Sequence, residues 1–260
     1  GGTTAGIIAS LLFAVALPVL IRGSIGWFKS EPLGLFYGLL GLYLFLSGIR
    51  TKDKKFTILK IVSGGIILSF GMASWGGNQF FIIPIGLFIL ALPLVRKDHK
   101  FLAWSIPLFV TTFLLCSASF ERPGPQIIFG LSGIALLVPT VFLFVNIFIQ
   151  KISKEKNKIK NGTIFLIIFV IIGIFMLLMM SSYFSETTSF RYLNAINPLL
   201  TTLDPLTDSV SEHQTTSTSE SFIFNSIFMI FAGLGVWIIF TKNVFQSKII
   251  LRNDMRVFAL

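Results

Sequence analysis

Charge is scarce in this chain. Only 12% of its 260 residues are Asp, Glu, Lys or Arg, against roughly 25% in ordinary soluble domains. With 54% apolar residues and a mean hydropathy of +0.85, that scarcity excludes a soluble globular fold. Cysteine is nearly absent, with Cys116 alone. A single thiol permits no intrachain disulfide and no cysteine-based metal site. Its place inside an apolar stretch reads as a small buried hydrophobe. There is no phosphate-binding glycine loop, no Ser/His/Asp arrangement and no basic–aromatic surface for nucleic acid. Acids are also few, 11 against 21 Lys and Arg. In so apolar a chain that excess points to cytoplasmic loops rather than to a nucleic-acid partner.

What the sequence does have is long uncharged runs: 5–21, 101–120, 123–150, 161–185 and 221–241. Each approaches or exceeds the ~20 apolar residues that cross a bilayer as helix. The expected fold is all-α, a polytopic transmembrane helix bundle. Its crossings fall at about 5–21, 32–49, 57–74, 79–95, 101–119, 126–149, 163–183 and 221–241, and a ninth begins near Met255. The pair 57–74 and 79–95 comes from one uncharged stretch, Ile61 to Val95. At ~1.5 Å per residue that stretch is too long for one span, and Trp75-Gly76-Gly77-Asn78 supplies the turn that divides it. The chain opens Gly1-Gly2-Thr3-Thr4 and stops at Leu260 as an apolar stretch begins, so it reads as an internal piece of a longer protein.

Alternating the loops between the two sides sorts the charge. One side collects Arg50, Lys52, Lys54, Lys55, Lys60, Arg96, Lys97, Lys100, the lysines from Lys151 to Lys160, Lys242, Lys248 and Arg252. The other receives Arg22, Lys29, Arg122 and Arg191. The positive-inside rule places the lysine-rich loops in the cytoplasm. Acids lean the other way, with Glu31, Glu121, Glu186, Asp204, Asp208, Glu212 and Glu220 outside. Residues 184–220 form an external loop with a Ser/Thr-rich tail. At that length a loop is functional or simply solvated.

Three external elements can meet on one face: Arg22 to Glu31, Ala73 to Gly77, and Ser209 to Gln214. Glu31 and Glu212 are hard oxygen donors suited to Mg or Mn. By spacing alone, two solvated loop acids account for them more readily.

Ser209-Val210-Ser211-Glu212-His213-Gln214 resembles the S-V-S-E-H-Q signature of the catalytic subunit of oligosaccharyltransferase. Arg191-Tyr192 and Asn197-Pro198 resemble the stretch that opens the same external loop in that family. Ala73-Ser74-Trp75-Gly76-Gly77 is similar to its S-S-W-G-G segment, and Arg22 through Glu31 takes the place of its R-S-x-x-G-x-Y/F-D-x-E/D motif. These elements stand in the family's order, on the expected side, and cover nearly the whole chain.

The resemblance implies a GT-C type membrane glycosyltransferase that moves a lipid-linked oligosaccharide, carried on dolichyl phosphate or diphosphate, onto Asn of an Asn-x-Ser/Thr acceptor polypeptide. It implies a catalytic and metal-binding role for Glu212, a metal-ligand role for Glu31, and contact with acceptor or lipid carrier for Arg191 and His213. Ser209, Val210, Ser211, Gln214, Trp75, Gly76 and Gly77 are the other motif residues. The implied cofactor is a divalent ion, Mg or Mn. The S-V-S-E spelling resembles eukaryotic and some archaeal members, and the short loops and Lys/Ile/Phe-rich composition favour an archaeal cell membrane, with the ER membrane as the alternative and the active face extracytoplasmic.

One departure stands out. Lys29 occupies the position where the family has Asp, and an ammonium cannot ligate a metal. The family's first Asp-x-Asp loop and its W-W-D-Y-G element do not occur between Gly1 and Leu260, so the fragment by itself is expected to be inactive. That departure keeps open a non-catalytic paralogue or a transporter that binds lipid-linked sugar. A transporter would carry ionisable groups within its spans, and here only Lys60 sits inside one. The sequon Asn161-Gly162-Thr163 follows the lysine-rich loop and is expected to go unmodified. His99, among Arg96, Lys97, Asp98 and Lys100, reads as a surface residue, and the run Lys151–Lys160 as an orientation signal that also meets membrane lipids.

Overall fold

The computed structural model describes residues 3–16, 19–20, 23, 30–154, 157–179 and 230–237. Among them 87% are helical and no strand is present, which makes the protein an all-α bundle. The helices are α1 (Thr3–Ala14), α2 (Glu31–Arg50), α3 (Lys54–Ser74), α4 (Gln79–Val95), α5 (His99–Ala118), α6 (Leu131–Ile152) and α7 (Lys158–Met179). Short 3-10 turns, Gly76–Asn78 and Pro125–Ile128, precede α4 and α6. The segment 230–237 is also helical. Five segments, Glu31–Arg50, Lys54–Ser74, Gly76–Val95, His99–Ala118 and Leu131–Ile152, are long and apolar enough to cross a membrane. Each is about 30 Å long as helix, the thickness of a bilayer's hydrocarbon core. This is a multi-pass membrane protein.

The break expected at Trp75–Asn78 is present, and it separates two full-length helices. Elsewhere the boundaries differ. The stretch beginning at Gln126 first makes a 3-10 turn, and α6 starts only at Leu131, with Gly130 as its N-cap residue. In the first apolar run α1 ends at Ala14, after 12 residues. Pro18 disfavours helical backbone in the residue before it. The external loop 184–220 and the ninth crossing lie outside the described residues.

Helices α2 and α3 form an antiparallel hairpin. Asp53 caps α3, its carboxylate accepting from the Lys55 and Phe56 amides at 2.8 and 3.3 Å, the usual work of an N-cap acid. The buried face of α2 is largely glycine: Gly34, Gly38, Gly41 and Gly48, with Phe45 and Ile49. In lipid, helices associate through close packing rather than through expulsion of water, and small residues permit it. A methyl at Gly41 would come within 2.9 Å of both the Leu68 backbone nitrogen and Leu68 Cβ. Lys60 is no stray charge in this hairpin, because its ammonium donates to Ser47 Oγ and Thr51 Oγ1 at 3.0 and 3.1 Å.

The remaining helices pair out of chain order. Helix α3 lies parallel to α5, where a methyl at Gly65 would stand 3.1 Å from Phe109 O and Phe113 N. Helix α4 lies parallel to α6, with Gly86 against the Ala135 carbonyl. Near the other end of that pair Gln150 Nε2 donates to Pro93 O at 2.8 Å. Helix α7 runs back along α6. Asn146 Nδ2 donates to Gly162 O at 3.0 Å, and Phe142 stacks on Phe165 at 5.2 Å between ring centroids. At the centre Phe45 meets Phe109 at 4.2 Å and Phe88 edge-on at 6.3 Å.

This alternation sends the charge to one end. Arg50, Lys52, Lys54, Lys55, Arg96, Lys97, Lys100, Lys151, Lys154 and Lys158 all flank the ends of α2 to α7 at one end of the bundle. Among the described residues, the opposite end carries Glu31, Glu121 and Arg122.

Candidate functional site

The sparsely charged end holds a cleft of about 650 Å³ between the turn that follows α3 and the loop that follows α5. Ser74, Trp75 and Gly76 line one wall, and Glu121, Arg122 and Gln126 the other. Ser30, immediately before α2, also lines it.

Packing explains why the turn sits where it does. Trp75 ends α3, its backbone amide donating to Gly71 O at 2.9 Å. Asn78, fully buried, donates from Nδ2 to the same carbonyl at 2.8 Å and to Trp75 O at 3.2 Å. The turn therefore closes on itself through the Asn78 amide group, while Asn78 Oδ1 is buried without a hydrogen-bond partner among the described residues. It is accepted onto α2 because Gly34 and Gly38 have no side chains: a methyl at Gly34 would lie 2.6 Å from Trp75 Cβ, and one at Gly38 would strike the Asn78 carboxamide and the Phe81 ring. Gly77 lies against the Trp75 indole, where a methyl would collide with the ring.

Glu31 is the first residue of α2, followed by Pro32 in the first turn. An acid there is favoured by the helix dipole, and a proline there forfeits no helical hydrogen bond. Glu31 is half-buried and its Oε2 is fully shielded. It stands less than one helical turn before Gly34, the residue that seats Trp75. Glu31, the last residue of the first expected element, and Trp75-Gly76-Gly77, the second, thus share one end of the bundle. The third, Ser209, Val210, Ser211, Glu212, His213 and Gln214, lies outside the described residues, as do Arg191 and Lys29.

The far wall of the cleft was not among the expected site residues. Glu121 and Arg122 are exposed, and the bond from Arg122 to Pro123 is cis. Gly124 follows with φ 70°, a conformation that glycine adopts freely. The polar string Glu-Arg-Pro-Gly-Pro between two apolar runs was the available signal. Phe70 touches Phe120 at 5.2 Å, which ties this loop to α3 beneath the cleft. Cys116, expected to be enclosed, is half-buried near the end of α5.

An acid, a guanidinium and an indole around an open cleft offer a polar ligand both donors and acceptors. The donor set for a metal is incomplete here. Among the described residues no three His, Cys, Asp or Glu side chains converge.

No family model matches the chain, and no solved structure matches it. Among curated proteins it is similar to subunit STT3B of the dolichyl-diphosphooligosaccharide–protein glycosyltransferase of Arabidopsis thaliana. The two are 26% identical over 241 residues, which is 88% of this chain and 31% of that one. The chain spans about a third of the length of the curated relative it matches. It is thus a distant relative, over most of its own length, of an oligosaccharyltransferase subunit.

Proposed function

We propose that the chain is part of a membrane glycosyltransferase that moves a lipid-linked oligosaccharide en bloc to Asn of Asn-x-Ser/Thr sequons. The observation that carries this reading is the signature Ser209-Val210-Ser211-Glu212-His213-Gln214 within a chain similar along 88% of its length to such a subunit. Its support from the fold is that Glu31 lies at the same end of the bundle as the Trp75 turn, next to Ser30, which lines the same cleft as Trp75.

The chemistry has two demands. An amide nitrogen is a poor nucleophile because its lone pair is delocalised. In this reading the Glu212 carboxylate accepts from the acceptor amide N–H, weakening that delocalisation and holding the nitrogen in line for attack. The leaving phosphate needs compensating positive charge. A divalent ion, Mg or Mn, held by Glu31 and Glu212 would supply it as a Lewis acid. Arg191 and His213 would contact the anionic carrier or the acceptor, and the Trp75 turn would border the same space. The cell membrane of an archaeon is the proposed location, with the cleft facing outward.

The full-length protein, given a lipid-linked oligosaccharide, should glycosylate an Asn-x-Thr peptide and leave the matching Gln-x-Thr peptide untouched. Lys29 favours a second reading, a diverged relative that binds lipid-linked sugar without transferring it. Under that reading the full-length protein retains the lipid-linked sugar but transfers none, and Lys29→Asp restores turnover.

A further inference from the structure

The opposite end of the bundle holds a second pocket, of about 510 Å³, where α2 ends, α4 ends and α5 begins. Arg50, Lys52, Arg96 and Lys97 line it, with Asp98 and Phe101. Four cations face one carboxylate, and that carboxylate is already engaged. Asp98 pairs with Arg96, accepting from Nε at 2.8 Å and from Nη2. Arg96 is a fixed part of the wall: its Nη1 donates to Ile49 O, one of the last carbonyls of α2, at 2.9 Å, and its guanidinium lies 4.9 Å over the Phe101 ring. Arg50, Lys52 and Lys97 are exposed and have no ion-pair partner among the described residues.

We propose that this pocket binds the phosphate of an anionic lipid headgroup in the leaflet at the basic end of the bundle. Three observations converge on that ligand. The uncompensated cations line one pocket. Arg50 is the last residue of a 20-residue apolar helix, and Arg96 follows the last residue of α4. Helices of that length set their end residues at headgroup depth. Finally, Phe36, Leu39 and Tyr43 are exposed on α2 at spacings that share a helix face with Arg50. An acyl chain descending from a phosphate held by Arg50 would lie along that stripe, whereas a free phosphate ion would make no use of it.

Basic clusters between transmembrane helices recognise anionic headgroups at ~1 kcal/mol per residue. Three such residues correspond to an affinity ratio on the order of 100, at a factor of ten per about 1.4 kcal/mol. The test uses the full-length protein in neutral detergent, titrated with phosphatidylglycerol or phosphatidylcholine, with bound lipid counted by native mass spectrometry. The variant Arg50→Gln/Lys52→Gln/Lys97→Gln leaves Arg96 and the packing intact. Lys151→Gln/Lys154→Gln/Lys160→Gln removes the same charge at the same end away from the pocket. The proposal expects a phosphatidylglycerol site weakened by on the order of 100-fold in the first variant, preserved in the second, and not displaced by excess inorganic phosphate. Equal weakening in both variants would mean a diffuse field and would overturn it. So would equal binding of phosphatidylcholine, and so would displacement by inorganic phosphate, which would make the ligand a soluble ion.

Discussion

The side-chain amide of Asn78 donates to the main-chain carbonyl of Gly71, 2.8 Å away, and so folds the turn after α3 back onto the helix that precedes it. Gly71 O also accepts from the Trp75 amide at 2.9 Å. Both helix-end bonds therefore depend on one carbonyl, and Asn78 supplies the one that reaches across the turn.

Asn78→Leu should leave the Trp75 carbonyl without its side-chain donor and release the turn from Gly38. Each side-chain hydrogen bond lost costs about 0.5–1.5 kcal/mol, since both carbonyls keep a main-chain donor, the Trp75 N–H on Gly71 O and the residue-78 N–H on Trp75 O. Thermal unfolding of the detergent-solubilised protein should show a lower midpoint. An unchanged midpoint would mean that Asn78 is not what holds the turn.

The hairpin of α2 and α3 predicts a contrast between glycines. Gly41→Val inserts a branched side chain where a methyl already meets Leu68 backbone at 2.9 Å, while nothing lies within 4 Å of a methyl at Gly76. Overpacking of this kind costs about 1–3 kcal/mol. Gly41→Val should lower thermal stability, and Gly76→Ala should leave it near the parent value.

Much of this fold was legible before the structure. The helices from α2 to α6 follow from the lengths of their apolar runs, and the Trp75–Asn78 break follows because Ile61 to Val95 exceeds one bilayer thickness. The pairing of α3 with α5 and of α4 with α6 was not legible. Both sides of these helices are apolar, Phe36, Leu39 and Tyr43 facing outward on α2 as Phe45 and Ile49 face inward, so periodicity marks no buried face. The site divides in the same way. Glu31 and Trp75 were named from motifs, and the seating of Trp75 on Gly34, in the first turn of Glu31's helix, is a property of packing. Glu121 and Arg122 belong to the cleft only because α5 runs parallel to α3 and delivers its loop beside the turn.

The sequon at Asn161 should remain bare. Asn161 Nδ2 donates to Ser153 Oγ at 2.8 Å, and Thr163 Oγ1 donates to Ile159 O within α7 at 2.9 Å. Gly162 is packed against Leu94, Asn146 and Gln150. A helical, engaged Asn at the lysine-rich end cannot present its amide as an extended loop does. Peptide mapping of the full-length protein from a glycosylating host should find Asn161 unmodified. A glycan there would reverse the orientation assigned to the bundle.

The most direct measurement is the rate of oligosaccharide transfer to an Asn-x-Thr peptide by the full-length protein and by its Glu212→Gln variant. Glutamine keeps the size of the side chain but loses the charge that would hold both metal and acceptor amide. Misplacement of a reacting group by as little as ~1 Å costs on the order of 100-fold, and the account predicts a loss at least that large, with peptide binding retained. Transfer by Glu212→Gln at the parent rate would contradict it.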